Sequence, residues 1–375
     1  MSSSKVAVLT ALVIMVASPT GRTGLPLFND CRQCHRDIFN LWKGSLHGQS
    51  YTDPSFQAAY LTTMLERGDE ASEHCLRCHA PLAHRRRDFD LKSDNATEGV
   101  GCSFCHSIAS VKGNQIDSCY QLDTAGVVYG PYPPTDNPIE HESRLSPLHQ
   151  TADLCAGCHE FTNEHGVKVL GTYSEWSASP YPAKQIQCQN CHMPMMYDLS
   201  VVDDQEIPNW FVTAHEFRGG HSKINLTHAV DLKTEVTQSG RRCTVVVSIT
   251  NAESGHKLPT GVPVRKLVLN VVMKTNYDYE IGSARKVYRK VLTDEYGTIL
   301  ETVPDMFLNA TRIFSDNRIE PKETRVETFV FEIPAGISDF NIETTLKYEY
   351  SRHVLSEELV SVEMSKNIVS SDDID

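Results

Sequence analysis

Past its first twenty residues the chain has no long apolar run, so a membrane helix is excluded from the mature protein. Positive charge is scarce: 35 Lys and Arg face 48 Asp and Glu, a formal net charge of −13 with His neutral. That excludes a nucleic-acid binder, which needs a basic face. No Gly-Lys-Ser/Thr follows a glycine-rich loop, so there is no phosphate-binding P-loop. After His192 the chain has a single cysteine, Cys243.

The one apolar run lies at the start. Lys5 precedes Val6–Ala17, and small and turn residues follow. This is the pattern of a secretory leader, with a retained anchor as the other reading. We expect residues 1–24 to be a signal peptide cut near Ser18–Gly24, and the mature protein to be exported (periplasmic, cell-surface or extracellular).

Cysteine and histidine dominate what is present. Ten of the twelve cysteines form five pairs, each with two residues between and a histidine directly after. They are Cys31, Cys34 and His35; Cys75, Cys78 and His79; Cys102, Cys105 and His106; Cys155, Cys158 and His159; and Cys188, Cys191 and His192. Zinc knuckles take two pairs per ion, and five is odd. Redox dithiols are rarely repeated five times, and a disulfide across a two-residue spacer suits exchange rather than structure. None of these accounts for the histidine. The pattern is that of covalent c-type haem attachment: two thioethers hold the porphyrin, and the adjoining imidazole becomes the proximal iron ligand. Five haem c groups are expected. Cys119 and Cys243 remain, either as a disulfide or as separate buried residues, Cys243 alternating with Val245, Val247 and Ile249.

The sixth ligand separates a carrier from an enzyme. Two imidazoles saturate the iron for electron transfer; an open position allows catalysis. Eleven histidines lie outside the motifs, enough for every haem to be bis-His. The candidate distal ligands are His47, His141, His149, His215, His221 and His256. Trp42, Ser45 and His47 have the spacing of a helix that packs an aromatic on one haem and offers an imidazole to another. His141 and His149 are eight apart, two helical turns. His215 and His221 flank HEFRGGH, where Gly219 and Gly220 would let backbone pass close to a porphyrin edge. His256, in SGHKLPTG (254–261), reads equally as a ligand in a rigid loop and as a turn residue. His74, His84, His165, His228 and His353 read as surface or supporting residues. Met193, Met195 and Met196 read as packing against the ring.

Residues 25–230 show short helical stretches between Pro, Gly, Asp and Asn loops, with about 40 residues per haem. Such a segment cannot build a hydrocarbon core, so the expected fold is a mostly α and loop cytochrome domain with porphyrins as core. CHAP (78–81) recurs as CHMP (191–194), and LWKGS (41–45) as EWSAS (175–179), a faint internal echo. RCTVVVSIT, RKLVLNVVM, ARKVYRKVL, RVETFVFEI and TTLKYEYS then alternate as strands. They predict an antiparallel β-sandwich over 231–362, with a polar, disordered tail at 363–375.

The five attachment sites, Trp42–Ser45–His47, EWSASPY before CQNCHMP, HEFRGGH and GHKLPTG together resemble the cytochrome c554-related multihaem family over most of residues 28–270. The resemblance implies bis-His haems in alternating parallel-stacked and perpendicular pairs, and in some members a C-terminal β domain. Relatives include hydroxylamine oxidoreductase-like enzymes and cytochromes that polymerise into extracellular conducting filaments. Nitrite-reducing relatives carry a Cys-x-x-Cys-Lys site; all five sites here end in His. No tyrosine stands out for the cross-link to haem found in hydroxylamine-oxidising relatives. The expected function is electron relay outside the cytoplasmic membrane, between donor and acceptor proteins or an extracellular acceptor, with homopolymerisation through haem–haem contact as a specialisation. The other reading is an oxidoreductase of small nitrogen or sulfur oxyanions at one open haem. Covalent attachment predicts that haem stays with the denatured polypeptide, and that the intact mass exceeds that of the chain by five haem groups. A mass short of five would remove a site.

Overall fold

This computed structural model describes residues 28–93, 95–113, 119–134, 141–197, 212–351 and 359–374. The expected leader (1–24) and His353 lie outside them.

Up to residue 229 the described chain is a series of short helices interspersed with strands of two to four residues. The longest, Pro54–Arg67, begins where the Asp53 carboxylate accepts from the Ser55 and Phe56 amides at 2.9 and 3.1 Å. Pro54 sits at the first helical position, and the helix stops at Gly68 with φ 86°. Each attachment motif occupies the end of a helix: Phe28–Cys34, Asp69–His79, Cys102–Cys105, Asp153–His159 and Cys188–His192. Apolar clusters here are small. One gathers Phe56, Tyr60, Leu76, Ala80, Ala83 and Ala96, and another Leu82, Phe104, Ile108, Cys119 and Tyr120. Gly157, inside the fourth motif, lies so close to the second cluster that a Cβ there would meet the Cys119 sulfur and the Tyr120 ring at 2.5 Å.

From Val230 onward the chain is antiparallel sheet. Arg242–Asn251 pairs with Val230–Ser239 on one side and Thr324–Glu332 on the other. A second sheet runs in the order Glu280–Tyr288, Lys266–Thr275, Phe340–Ser351, Leu359–Ser370. Alternation buries Cys243, Val245, Val247 and Ile249, as their spacing predicts. These join Leu267, Leu269, Val271, Met273, Ile342 and Leu346 of the second sheet in one core. Cys119 and Cys243 are both buried, in separate clusters, and are not joined to each other.

Two details depart from expectation. ARKVYRKVL is not one strand. It breaks after Tyr288, where the Arg289 amide donates to Asn317 Oδ1 at 2.8 Å, and Lys290–Thr293 pairs separately with Arg312–Asp316. Residues 363–370, taken as disordered tail, belong to the strand Leu359–Ser370. Its small and polar side chains suit a sheet edge with one open face, while Met364 turns into the core.

The two regions meet along residues 290–311. Leu292, Leu300, Met306 and Ala310 pack on Val167 and Val169. Asn163 Nδ2 donates to the Ala310 carbonyl at 2.7 Å, and Arg67 pairs with Asp305 at 2.5 Å. Leu269 is fully buried in the sheet core. Leu269→Ala is expected to cost about 2–5 kcal/mol in a denaturant or thermal melt of the β region, with the visible haem spectrum unchanged.

Candidate haem-binding site

A cavity of about 4340 Å³ runs through the helical region. A single small-ligand site is typically about 300–1,000 Å³, so this one has room for several cofactors. All ten motif cysteines and all five motif histidines line it. So do His47, His141, His149, His215, His221 and His256.

The spacing of imidazoles is the decisive geometry. An imidazole–metal bond is about 2.0–2.1 Å, so two imidazoles on one metal hold facing nitrogens about 4 Å apart and ring centres about 6 Å apart. Four motif histidines each face one other histidine at that distance. His35 and His141 are 6.3 Å apart, His106 and His215 6.3 Å, His47 and His159 6.2 Å, and His192 and His256 6.2 Å. These separations are compatible with one metal ion held between the two rings of each pair.

The rings are aimed by their other nitrogen. Nδ1 of His79 bonds the Ser50 carbonyl at 2.7 Å, that of His106 the Tyr129 carbonyl at 2.6 Å, and that of His192 the Arg218 carbonyl. His215 Nδ1 bonds the Thr213 carbonyl at 2.9 Å. His256 Nδ1 bonds both the Lys257 carbonyl and Ser254 Oγ at 3.0 Å. Each bond leaves Nε2 free, the arrangement by which proteins fix a ligating tautomer. His47 Nδ1 is buried with no hydrogen-bond partner among the described residues. The donor set, its aim and the cavity all fit haem c.

Burial also sets the charge state. It lowers the pKa of His47 to about 3, and those of His159, His215 and His256 to about 4, from 6.5. Neighbouring imidazoles, and Arg265 beside His159 and His256, push the same way. The rings are therefore neutral at pH 7, the metal-binding form.

Two candidate ligands fall elsewhere. His149 Nε2 donates to the Cys105 carbonyl, 3.1 Å away, and its ring stacks on His106 at 5.5 Å. His141 and His149 do not share a helix, because Pro147 and the strand Ser143–Leu145 intervene. The His221 ring lies 4.3 Å from Tyr350 of the β region. Gly220 turns the chain there, but its open face meets the Tyr348 hydroxyl, where a Cβ would sit 2.6 Å away. His47 also differs from expectation: its helix, Arg36–Lys43, has ended, and it stands in the following turns. Of the weaker candidates, His74 and His228 line the cavity, His84 packs on Phe89 and His165 is exposed. Met195 is exposed, and His256 rather than a methionine faces His192.

The second site is unlike the others. Among the described residues the ring against His79 is Phe56, stacked at 4.0 Å and 9°, with no imidazole opposite. Sequence reading missed Phe56, as well as Phe217, whose ring lies 4.2 Å from His47 and 5.9 Å from His215. Neither carries a signal beyond being aromatic.

The faint internal echo has a structural counterpart. Trp42 Nε1 donates to the Val100 carbonyl at 2.9 Å, two residues ahead of Cys102. Trp176 Nε1 donates to the Ile186 carbonyl at 3.0 Å, two residues ahead of Cys188. Ser45 and Ser179 each return a hydroxyl to their tryptophan's carbonyl at 2.6 Å.

Residues 30–107, spanning the first three attachment motifs, match the family described as cytochrome c554 and c-prime. The fold is similar to that of a penta-heme cytochrome c552 from Thermochromatium tepidum: TM-score 0.73, 23% identity, covering 92% of this chain and 99% of that one. These matches support a multihaem c-type cytochrome family. Other solved structures match only a part of the chain. The C-terminal domain of wzt (6% identity, 38% of this chain, 70% of that one, TM-score 0.21) and ApaA from Bordetella pertussis (10%, 37%, 93%, 0.18) are too distant to carry an argument. No curated protein matches. Among the described residues no helix is long and apolar enough to cross a membrane.

In a multihaem cytochrome with buried ligands, acid must displace iron from imidazole. A depressed folded pKa contributes stability that is complete above the free value of 6.5 and lost as pH falls through the folded value. The low-spin absorption spectrum is expected to hold as pH drops through 6.5 and to convert to high spin near pH 4 or below. A midpoint near 6.5 would count against buried ligands.

Proposed function

We propose that the protein relays electrons through five covalently attached haems outside the cytoplasmic membrane. The paired imidazoles carry this reading. His35 with His141, His106 with His215, His159 with His47, and His192 with His256 would each hold one iron from both sides. Haem supplies an iron that changes oxidation state with little rearrangement when both axial positions are filled. The chain's part is to keep those positions filled, exclude water and hold successive sites close.

Contacts between thiols of different motifs support the last point. Cys31 reaches Cys102, Cys78 reaches Cys158, and Cys155 reaches Cys188 through hydrogen-bonding contact. Cys105 lies near Cys158. These contacts give the order first, third, fourth and fifth site, with the second beside the fourth. The proposed partners are redox donor and acceptor proteins or an extracellular acceptor, consistent with the export that the leader predicts. Contact between terminal haems of successive copies would extend the relay into a homopolymer. Filaments in electron micrographs of the secreted fraction would support that extension, and dispersed monomers at high concentration would remove it.

One observation favours a second activity. Among the described residues no second imidazole faces His79, and a site with an open position there would suit reduction or oxidation of a small nitrogen or sulfur oxyanion. The reduced protein is expected to take up carbon monoxide at one haem per chain, with the other four low-spin by electron paramagnetic resonance. No uptake would remove the second activity. Uptake at several haems would overturn the bis-His assignment.

A further inference from the structure

The loop that carries His256 is held from both regions of the protein by a buried ion network. Asn251 Nδ2 donates to the His256 carbonyl at 2.9 Å and to the Ile319 carbonyl at 3.1 Å. Leu258 and Ile319 exchange two backbone bonds of 2.9 Å. The Arg318 guanidinium grips Asp316 with two bonds of 2.8 Å, donates to the Pro259 carbonyl at 3.2 Å and pairs with Glu175 at 2.8 Å. Glu175 belongs to the helix Thr172–Ser177 of the haem-binding region. Its second oxygen accepts from the Thr260 hydroxyl at 2.7 Å, and Thr260 also meets the Thr172 hydroxyl at 2.9 Å. Beside them the Trp176 ring fills the space over Gly255, where a Cβ would come within 3.2 Å.

The Arg318 and Glu175 side chains are only 5% and 7% exposed. A buried pair of this kind gains little net stability, because desolvation offsets the attraction, whereas losing one partner leaves the other charge stranded. Its effect is geometric: two planar groups with fixed bonding directions fit one arrangement. That arrangement joins the haem-binding region, the β region and the last third of the His256 loop.

We infer that Glu175, Thr260 and Arg318 are positioning residues for His256, holding its imidazole opposite His192 so that the fifth iron keeps its sixth ligand. This rests on the reading that His192 and His256 share an iron. None of the three is hydrogen-bonded to the ring in the bonds that hold the loop. They act on the loop from behind, and so govern how often the ring lets go. The β region then has a redox role, because its segment 316–320 sets the ligation of the last haem in the relay.

The test compares full-length haem-loaded variants by the count of high-spin haems and by carbon monoxide uptake of the reduced protein. The wild type should take one equivalent, at the His79 site, and His256→Ala two. Thr260→Val removes the hydroxyl and leaves the ion pairs in place, so it should still fold with its full haem content and lose in a melt only the stability of that hydrogen bond. It should nevertheless raise the release of His256 about tenfold, the loss expected for a hydrogen bond to a charged group. Its uptake should then lie between one and two. Thr260→Ser should restore one, and Arg318→Lys should lie nearer two. If His256→Ala takes two equivalents while Thr260→Val and Arg318→Lys take one, the positioning role is wrong. If His256→Ala itself takes one, the ligand assignment fails first.

Discussion

An imidazole gives a metal only one nitrogen, so the bond made by the other nitrogen fixes the ring. Five of the rings around this cavity spend that nitrogen on a backbone carbonyl: Ser50, Tyr129, Arg218, Thr213 and Lys257. Regular secondary structure has few carbonyls to spare. The five acceptors come from turns, loops, or strands of three residues or fewer. The short, interrupted character of residues 28–229 is thus a consequence of ligation. Long helices would present histidines but could not tie each one down from a different direction.

The same requirement divides the chain into two kinds of interior. The β region closes on one apolar core shared by two sheets. The helical region has clusters of five or six fully buried residues around a cavity lined by thiols and imidazoles. It cannot bury enough apolar surface alone to offset the entropy of ordering its loops. Its folding is therefore coupled to cofactor attachment, much as small metal domains fold on binding metal. The packing of Leu292, Leu300 and Met306 on Val167 and Val169 lets the β half brace the dependent one.

Much of this was written in the sequence, because thioether attachment imposes a local pattern. Cysteine spacing and the adjoining histidine mark all five motif ends, and period-two alternation marks the strand of Cys243, Val245 and Val247. Which imidazoles come together is set by tertiary packing, so spacing misleads. His141 and His149 are eight apart, yet they serve different neighbours, with Pro147 between them. His221 looks as well placed as His215 but faces Tyr350, because Gly220 is shaped to Tyr348. His256, equally a turn residue by its local sequence, stands in a pair spaced for iron. Carbonyl anchors leave no mark in a sequence at all. Polar residues likewise hid the edge strand over 363–370.

The Trp–x–x–Ser device explains why the order of sites in space departs from their order along the chain. Trp42 precedes the second motif but bonds the backbone just ahead of the third. The intervening segment leaves as a helical pair, Pro54–Arg67 and Asp69–His79, and returns. The second site thereby lies beside the fourth, where Cys78 meets Cys158, while the first and third meet through Cys31 and Cys102. A site on the through-path must keep both axial positions filled, because an open iron there would bind stray ligands and interrupt the relay. A site on a side branch is free of that constraint. Among the described residues His79 is stacked by Phe56 and faced by no second imidazole, and a site on such a branch is where an open iron would exchange electrons with a small molecule and leave the main path intact.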